Sequence, residues 1–225
     1  MTGPANESNS DAAYVADGFH PIHLTDPLVV IVTGLPGTGK TTLGIRIAKQ
    51  FSLPFINKDG IKELLFDTLG WEDRAWSKKI SQASYGLLYY FVEAQLAAGR
   101  SLVVESNFDS GRDSPQFLRL REKYPYVPFQ VLCVTQGEVL FQRFQQRGES
   151  GERHPGHVDQ ATYEELRTTL LKGRAEPLDI GGSLVEVDTT DYEADEVHPA
   201  DGSHPADGIH QEGLFAAIRA AAGGE

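Results

Sequence analysis

Residues Gly34-Leu-Pro-Gly-Thr-Gly-Lys-Thr41 fit the pattern G-x-x-x-x-G-K-S/T, and each residue type in it suits the holding of a phosphate chain. Glycines at 34, 37 and 39 let the backbone wrap closely and turn its N–H groups inward. The result is a concave anion site at a helix start. Lys40 brings a positive charge to the β- and γ-phosphates of a nucleotide, and the Thr41 hydroxyl can ligate a Mg²⁺ ion bridging them. Gly37, Thr38, Gly39, Lys40, Thr41 and Thr42 are the expected nucleotide contacts.

Chemistry beyond binding needs groups at the same sheet edge, because ligands of parallel sheets sit beyond the carboxyl ends of the strands. Ile56-Asn-Lys-Asp-Gly-Ile-Lys-Glu63 places Asp59 and Lys62 there. Asp59 suits the proton of an attacking hydroxyl, although an aspartate between strand and helix also commonly serves as an N-cap. Lys62, one helical turn later, suits an anionic or polar part of the acceptor. Val103-Val-Glu-Ser-Asn-Phe108 ends a strand with Glu105, where a carboxylate can hold magnesium through water or brace a basic neighbour such as Lys62. Asn107 and Arg112 are expected to flank the acceptor pocket.

Farther on, Arg143 and Arg147 lie four apart on one helical face, and Arg153 follows among Gly148, Gly151 and Gly156. Arginines on a hinged loop can close over a triphosphate, stabilise the transferring charge and exclude water. One near the helix end could stack on adenine. The alternative is a solvated basic helix end interacting with its dipole. His154 and His157 lack further partners for zinc and read as loop residues.

The elements that must position these groups alternate. Strands are expected at 28–33, 53–57, 100–108, 127–135 and 183–190. Helices are expected at 41–50, 59–70, 76–98, 114–124, 137–148, 162–173 and 212–223. The long helix has an apolar stripe of Ile80, Ala83, Leu87, Phe91, Ala94 and Ala98 at helical spacing. Thr162 with Glu165 reads as a capping box. The alternation implies one doubly wound, parallel, five-stranded α/β domain over 26–225 with helices on both faces. A lid is expected at about 148–160 and a disordered polar tail over 1–25. A surface insertion at about 192–212 carries His-Pro-Ala-Asp-Gly twice. Two histidines six apart with aspartates also suggest a metal, but a duplicated turn is the simpler reading.

The net charge of −12 is unevenly placed. Residues 175–218 hold eleven Asp or Glu and no Lys or Arg, leaving the remainder near neutral. That speaks against duplex nucleic acid, which favours a basic face. A single cysteine, Cys133, sits in an apolar stretch and excludes an internal disulfide framework. With no apolar run of spanning length and no signal-like start, a cytosolic location without membrane association is expected.

Taken together, "GLPGTGKTT", "NKDGIKELL", "VVESNF", an arginine-bearing lid and "VDTT" resemble the small P-loop kinases, over about Leu28 to Asp191. The similarity is to the AAA-33/zeta-toxin-like branch, grouped with chloramphenicol phosphotransferase and the kinase domain of polynucleotide kinase. The resemblance implies ATP-dependent transfer of the γ-phosphoryl group to an alcohol, with Mg²⁺ as cofactor. It implies Asp59 as general base, Lys62 as acceptor contact, Glu105 as the third-strand carboxylate, and Arg143, Arg147 and Arg153 as lid arginines. Polynucleotide kinases place arginine where Lys62 stands, and lysine lacks that bidentate grip on phosphate. A small-molecule acceptor is therefore expected, with a 5′-hydroxyl nucleic-acid end or a nucleotide sugar as alternatives. A guanine-reading N/T-K-x-D is absent after the late strands, which excludes a regulatory GTPase. The length excludes an AAA+ motor, and a non-catalytic ATP-binding module is the remaining rival.

Overall fold

Leu28–Gly34 form a strand, β1, in which every residue is buried. A strand without a solvent face must be covered on both sides, and a computed structural model describing residues 26–151, 153–191 and 208–223 shows how. β1 pairs in parallel with β3 (Leu102–Glu105) on one side and β4 (Val127–Val134) on the other. β2 (Phe55–Asn57) and β5 (Ser183–Asp188) complete an all-parallel sheet in the order β2-β3-β1-β4-β5.

Alternation along β1 sends Val30 and Val32 to one face and Val29 and Ile31 to the other. The first pair packs on Leu43 and Ile47 of α1 (Lys40–Phe51) and on Leu214 and Ile218 of α7 (Gly208–Ala221). The second packs on Leu88, Val92 and Leu96 of α3 (Arg74–Ala97) and on Phe117 of α4 (Ser110–Lys123). A smaller cluster joins Leu35 of the loop after β1 to Leu140 and Phe144 of α5 (Gly137–Glu149) and to Leu170 of α6 (Tyr163–Leu170). The five parallel strands and two helical layers are as the sequence reading expected. Cys133 is fully buried, and burial pushes its thiol up to about 12, so it packs rather than reacts.

Three local readings are corrected. The buried stripe of α3 is Ser77, Ile80, Ser84, Leu88, Val92 and Leu96, whereas Leu87 and Phe91 are exposed. Two serines on the inner face defeat a hydrophobic count: Ser84 donates to Ile80 O at 2.7 Å, so its hydroxyl is satisfied within the helix. The capping box at Thr162 is not formed. The backbone is already turning as a 3-10 helix over Asp159–Thr162, so the Thr162 hydroxyl donates to Asp159 O, and Glu165 instead meets Arg74 at 3.1 Å. Third, α2 (Lys58–Leu69), α3 and α4 start earlier than expected because Asn57, Asp73 and Asp109 cap them. Asp59 is thus not a cap. The expected tail over 1–25 and the repeat over 198–207 lie outside the described residues.

The corrected stripe has a direct test. Leu88→Ala should destabilise the fold by about 2–5 kcal/mol, whereas Phe91→Ala should stay within about 0.5 kcal/mol. Urea unfolding of the two variants decides between the faces, and equal costs would restore the original one.

Candidate active site

The chain turns from β1 into α1 through five residues, with Gly37 and Gly39 in left-handed conformations at φ 90° and 71°. No side chain caps α1, so its first-turn amides face the loop as a ready anion site. The Thr38 side chain serves the loop itself, donating to Leu35 O at 2.9 Å, while its carbonyl accepts from Thr189 Oγ1 at the end of β5 at 3.0 Å. Lys40 is buried and donates from Nζ to Leu35 O at 3.3 Å. Thr42 is exposed in the first turn.

The register pairs Val32 with Glu105, which places that carboxylate at the foot of the loop. Thr41 Oγ1 donates to Glu105 Oε2 at 2.9 Å, and Lys40 Nζ lies 3.9 Å from Oε1. Burial raises the Glu105 pKa, opposed chiefly by Lys40; burial also lowers that of Lys40, opposed chiefly by Glu105. Glu105 therefore braces Lys40, not Lys62. The pair of a hydroxyl and a buried carboxylate is an all-oxygen donor set of the kind magnesium takes.

Asp59 follows the Asn57 cap by two residues, which turns its carboxylate toward this edge. Lys58 Nζ meets Oδ1 at 3.1 Å and Arg153 Nη2 donates to Oδ2 at 2.9 Å. Burial alone would raise its pKa, but Lys58 and Arg153 hold the carboxyl well below the usual range. Lys62 is only 4% exposed; Nζ donates to Ser77 Oγ at 2.9 Å and sits 5.2 Å above the Phe66 ring. Among the described residues no carboxylate forms an ion pair with it.

The lid is built around Phe66 of α2. His154 stacks on that ring at 5.1 Å and His157 meets it edge-on at 5.6 Å. Gly156 passes so near that a Cβ would lie 2.7 Å from ring carbons, so only glycine fits. His157 Nε2 lies 2.8 Å from Glu63 Oε1, and its Nδ1 lies 3.0 Å from Arg153 Nη2. A guanidinium only donates, so Nδ1 accepts and the imidazole proton sits on Nε2, facing Glu63. Burial, with Arg153 beside it, lowers the His157 pKa and favours that neutral form, against Glu63. Arg153 also meets Asp159 at 2.7 Å, and Arg147 lies 3.6 Å from the same carboxylate.

These groups surround a cavity of about 190 Å³, smaller than the ~300–1,000 Å³ typical of ligand clefts. Lys40 of the phosphate-loop helix, Phe144 and Arg147 of α5, Asp59 and Lys62 of α2, Asn107 and Arg153 all line it. Two expected residues lie elsewhere. Arg143 donates to Thr189 O and Thr190 O, both at 2.8 Å, and so ties α5 to the end of β5. Arg112 does not flank the pocket: it bonds Asp113 at 2.7 Å and stacks on Tyr85 at 4.3 Å. Trp71, Trp76, Tyr85 and Tyr89 do not line the cavity. Sequence reading missed Lys58, Arg74 and Asp159. Lys58 was visible as a second lysine four residues from Lys62; the other two are brought in only by packing.

The buried ammonium leaves a measurable trace. Burial, then Lys58, lowers the Lys62 pKa to about 8 against the pull of Asp59, whereas an unfolded lysine titrates near ~10.4. Below pH 8 both states are charged and folding carries the full desolvation cost. Above it the folded state sheds its proton first, so stability rises with pH up to about 10.4. Wild type gains about 2 kcal/mol over this interval, so the melting temperature of Lys62→Met minus that of wild type should fall by about 4–8 °C between pH 7 and 9.5. A flat or rising difference in thermal scans would contradict the assignment.

Comparison with known proteins places this geometry. The AAA_33 model, described as an AAA domain, matches residues 29–171. A solved structure described as a candidate kinase from Chloroflexus aurantiacus j-10-fl is 35% identical, with a TM-score of 0.72 over 87% of this chain and 98% of that one. Chaetomium thermophilum Kti12, solved with ADP-AlF3, is 18% identical with a TM-score of 0.56 over 87% of this chain and 98% of that one; this likeness concerns the fold. The curated proteins contain no match. With a family match over more than half its length and a phosphate loop at the carboxyl edge of a parallel sheet, the chain belongs to the AAA-33 family of P-loop kinases.

Proposed function

We propose that the protein transfers the γ-phosphoryl group of Mg·ATP to a hydroxyl of a small-molecule acceptor. The observation that carries this reading is that Lys40 and Asp59 line one cavity. A triphosphate on the loop amides and an alcohol on the carboxylate then share one space. The alcohol oxygen forms a bond to the γ-phosphorus as the bond to the β,γ-bridging oxygen breaks; its proton passes to Asp59, and ADP leaves. The transition state of such transfers is loose, so the alcohol loses its proton late and a weak base suffices. Lys40 and Arg147 face the charge that builds on the departing phosphate.

Thr41 and, through water, Glu105 are the residues that would hold magnesium. Bound there, the ion would neutralise charge on the β- and γ-phosphates. Arg153 has a further part. Its bond to Asp59 occupies the oxygen an alcohol needs, and a triphosphate offers the guanidinium a more highly charged partner. Transfer of Arg153 from Asp59 to the phosphates couples nucleotide arrival to release of the base and enlarges the cavity. A 5′-hydroxyl nucleic-acid end ranks second, because the chain as a whole carries a net charge of −12 and duplex or strand binding favours an extended basic face.

Lys40→Ala should abolish binding of a fluorescent ATP analogue. Asp59→Asn should keep that binding but lose at least about a hundredfold in transfer of labelled phosphate to an acceptor found by screening. Normal transfer by Asp59→Asn would remove Asp59 as the base.

A further inference from the structure

The acceptor side of the cavity carries more positive charge than the nucleotide accounts for. Six cationic side chains line the cavity against two carboxylates, Asp59 and Asp159. Lys40, Arg147 and Arg153 stand with the phosphate loop and lid. The other three, Lys58, Lys62 and Arg74, come from α2, which also carries Asp59, and from α3, which packs on α2. Lys62 is the sharpest case. It is nine-tenths buried, makes one hydrogen bond to a serine, and faces like charge from Lys58 one turn earlier. Burying an ammonium without a counter-ion is costly, and a second lysine at i,i+4 adds to the cost.

Arg74, unlike Lys62, already has a counter-ion, but it offers a free donor. Its Nη2 is anchored to Glu165 at 3.1 and 3.2 Å, which fixes the guanidinium at the cavity wall while its buried Nε has no partner. Lys58 is buried too, with Nζ on Asp59 and 5.6 Å from the Tyr85 ring. Ser81 and Asn107 are the neutral polar neighbours. An alcohol placed on Asp59 must lay the rest of its molecule against this wall.

Resting on the kinase reading above, we propose that the acceptor is itself an oxyanion: a small hydroxylated molecule bearing a carboxylate or a phosphate, gripped by Lys62 and Arg74 with Lys58 beside them. Residues three apart on a helix carry their Cβ atoms about 5–6 Å apart, so the hydroxyl on Asp59 and the anionic group on Lys62 lie a few bonds from each other. Hydroxy acids, sugar acids and sugar phosphates have that shape. Neutral nucleosides and neutral polyols do not match the wall, since they would leave Lys62 without a counter-charge.

The test separates binding from transfer. Wild type loaded with Mg·AMP-PNP is titrated calorimetrically with D-gluconate and D-glucose 6-phosphate, each against its neutral counterpart, D-sorbitol and D-glucose. At least one charged probe should bind while its neutral counterpart binds at least tenfold more weakly, and the better of the two charged probes tells carboxylate from phosphate. Lys62→Met should weaken the charged probe by 10–100-fold, the range of a lost charge-assisted hydrogen bond, and Lys62→Arg should stay within about threefold of wild type. Equal binding of charged and neutral partners, no binding of either charged probe, or wild-type affinity in Lys62→Met would overturn the proposal. If a charged probe binds as stated but no hydroxyl compound that is screened accepts phosphate from Mg·ATP, the oxyanion site stands and the kinase reading falls.

Discussion

One backbone constraint governs the molecule: a fully buried central strand must end and a helix must begin within five residues. The stretch ends at the N-cap position in Gly39, which has no side chain to cap with, so the first amides of α1 are left for an outside anion. It is also fixed in place, because Val30 and Val32 on one side of the turn and Leu43 and Ile47 on the other bury in the same cluster. Parallel pairing then brings the ends of the neighbouring strands alongside. Glu105 reaches Thr41 and Lys40 for this reason, and Thr189 at the end of β5 bonds the loop carbonyl of Thr38. The anion site is a product of sheet geometry as much as of its own residues.

Around it the protein gathers charge that a folded core ordinarily avoids. Asp59 stays ionised because Lys58 and Arg153 each hold one of its oxygens, and Arg153 stays ordered because Asp59, His157 and Asp159 all meet it. The segment around Arg153 is thus a balanced electrostatic cluster, pinned to α2 by His154 stacked on Phe66 and His157 edge-on to it. A partner of higher charge than a carboxylate can break that balance, and a nucleotide is such a partner. Lys62 stands outside the balance. Its ammonium has a hydroxyl and a ring for company, and burial lowers its pKa at the cost of stability in the cavity wall.

The similarity to the Chloroflexus protein covers nearly all of that chain, so it extends well beyond the phosphate loop. The family match, by contrast, ends at residue 171, just past α6. β5 lies beyond it, yet Thr189 and Thr190 at its end receive the Arg143 guanidinium and close the sheet edge next to the loop.

By itself the sequence determined the parallel α/β architecture, the phosphate loop and the placing of Asp59 and Lys62 at one sheet edge. These follow from local patterns: a continuous apolar run for a covered strand, three glycines and a lysine for the loop, and short strand-to-helix turns that carry polar residues to the carboxyl edge. Tertiary structure decided the rest. It chose the buried stripe of α3, because satisfied serines pack as well as alanines and a hydrophobic count passes over them. It sent Glu105 to Lys40 and took Arg112 and Arg143 away from the cavity, since a long guanidinium settles on whichever acceptors packing places near it. It also brought Arg74, Asp159 and His157 to Asp59 and Lys62 from segments up to a hundred residues away in the chain. No periodicity encodes such meetings; they depend on how α3 and the lid are laid across α2.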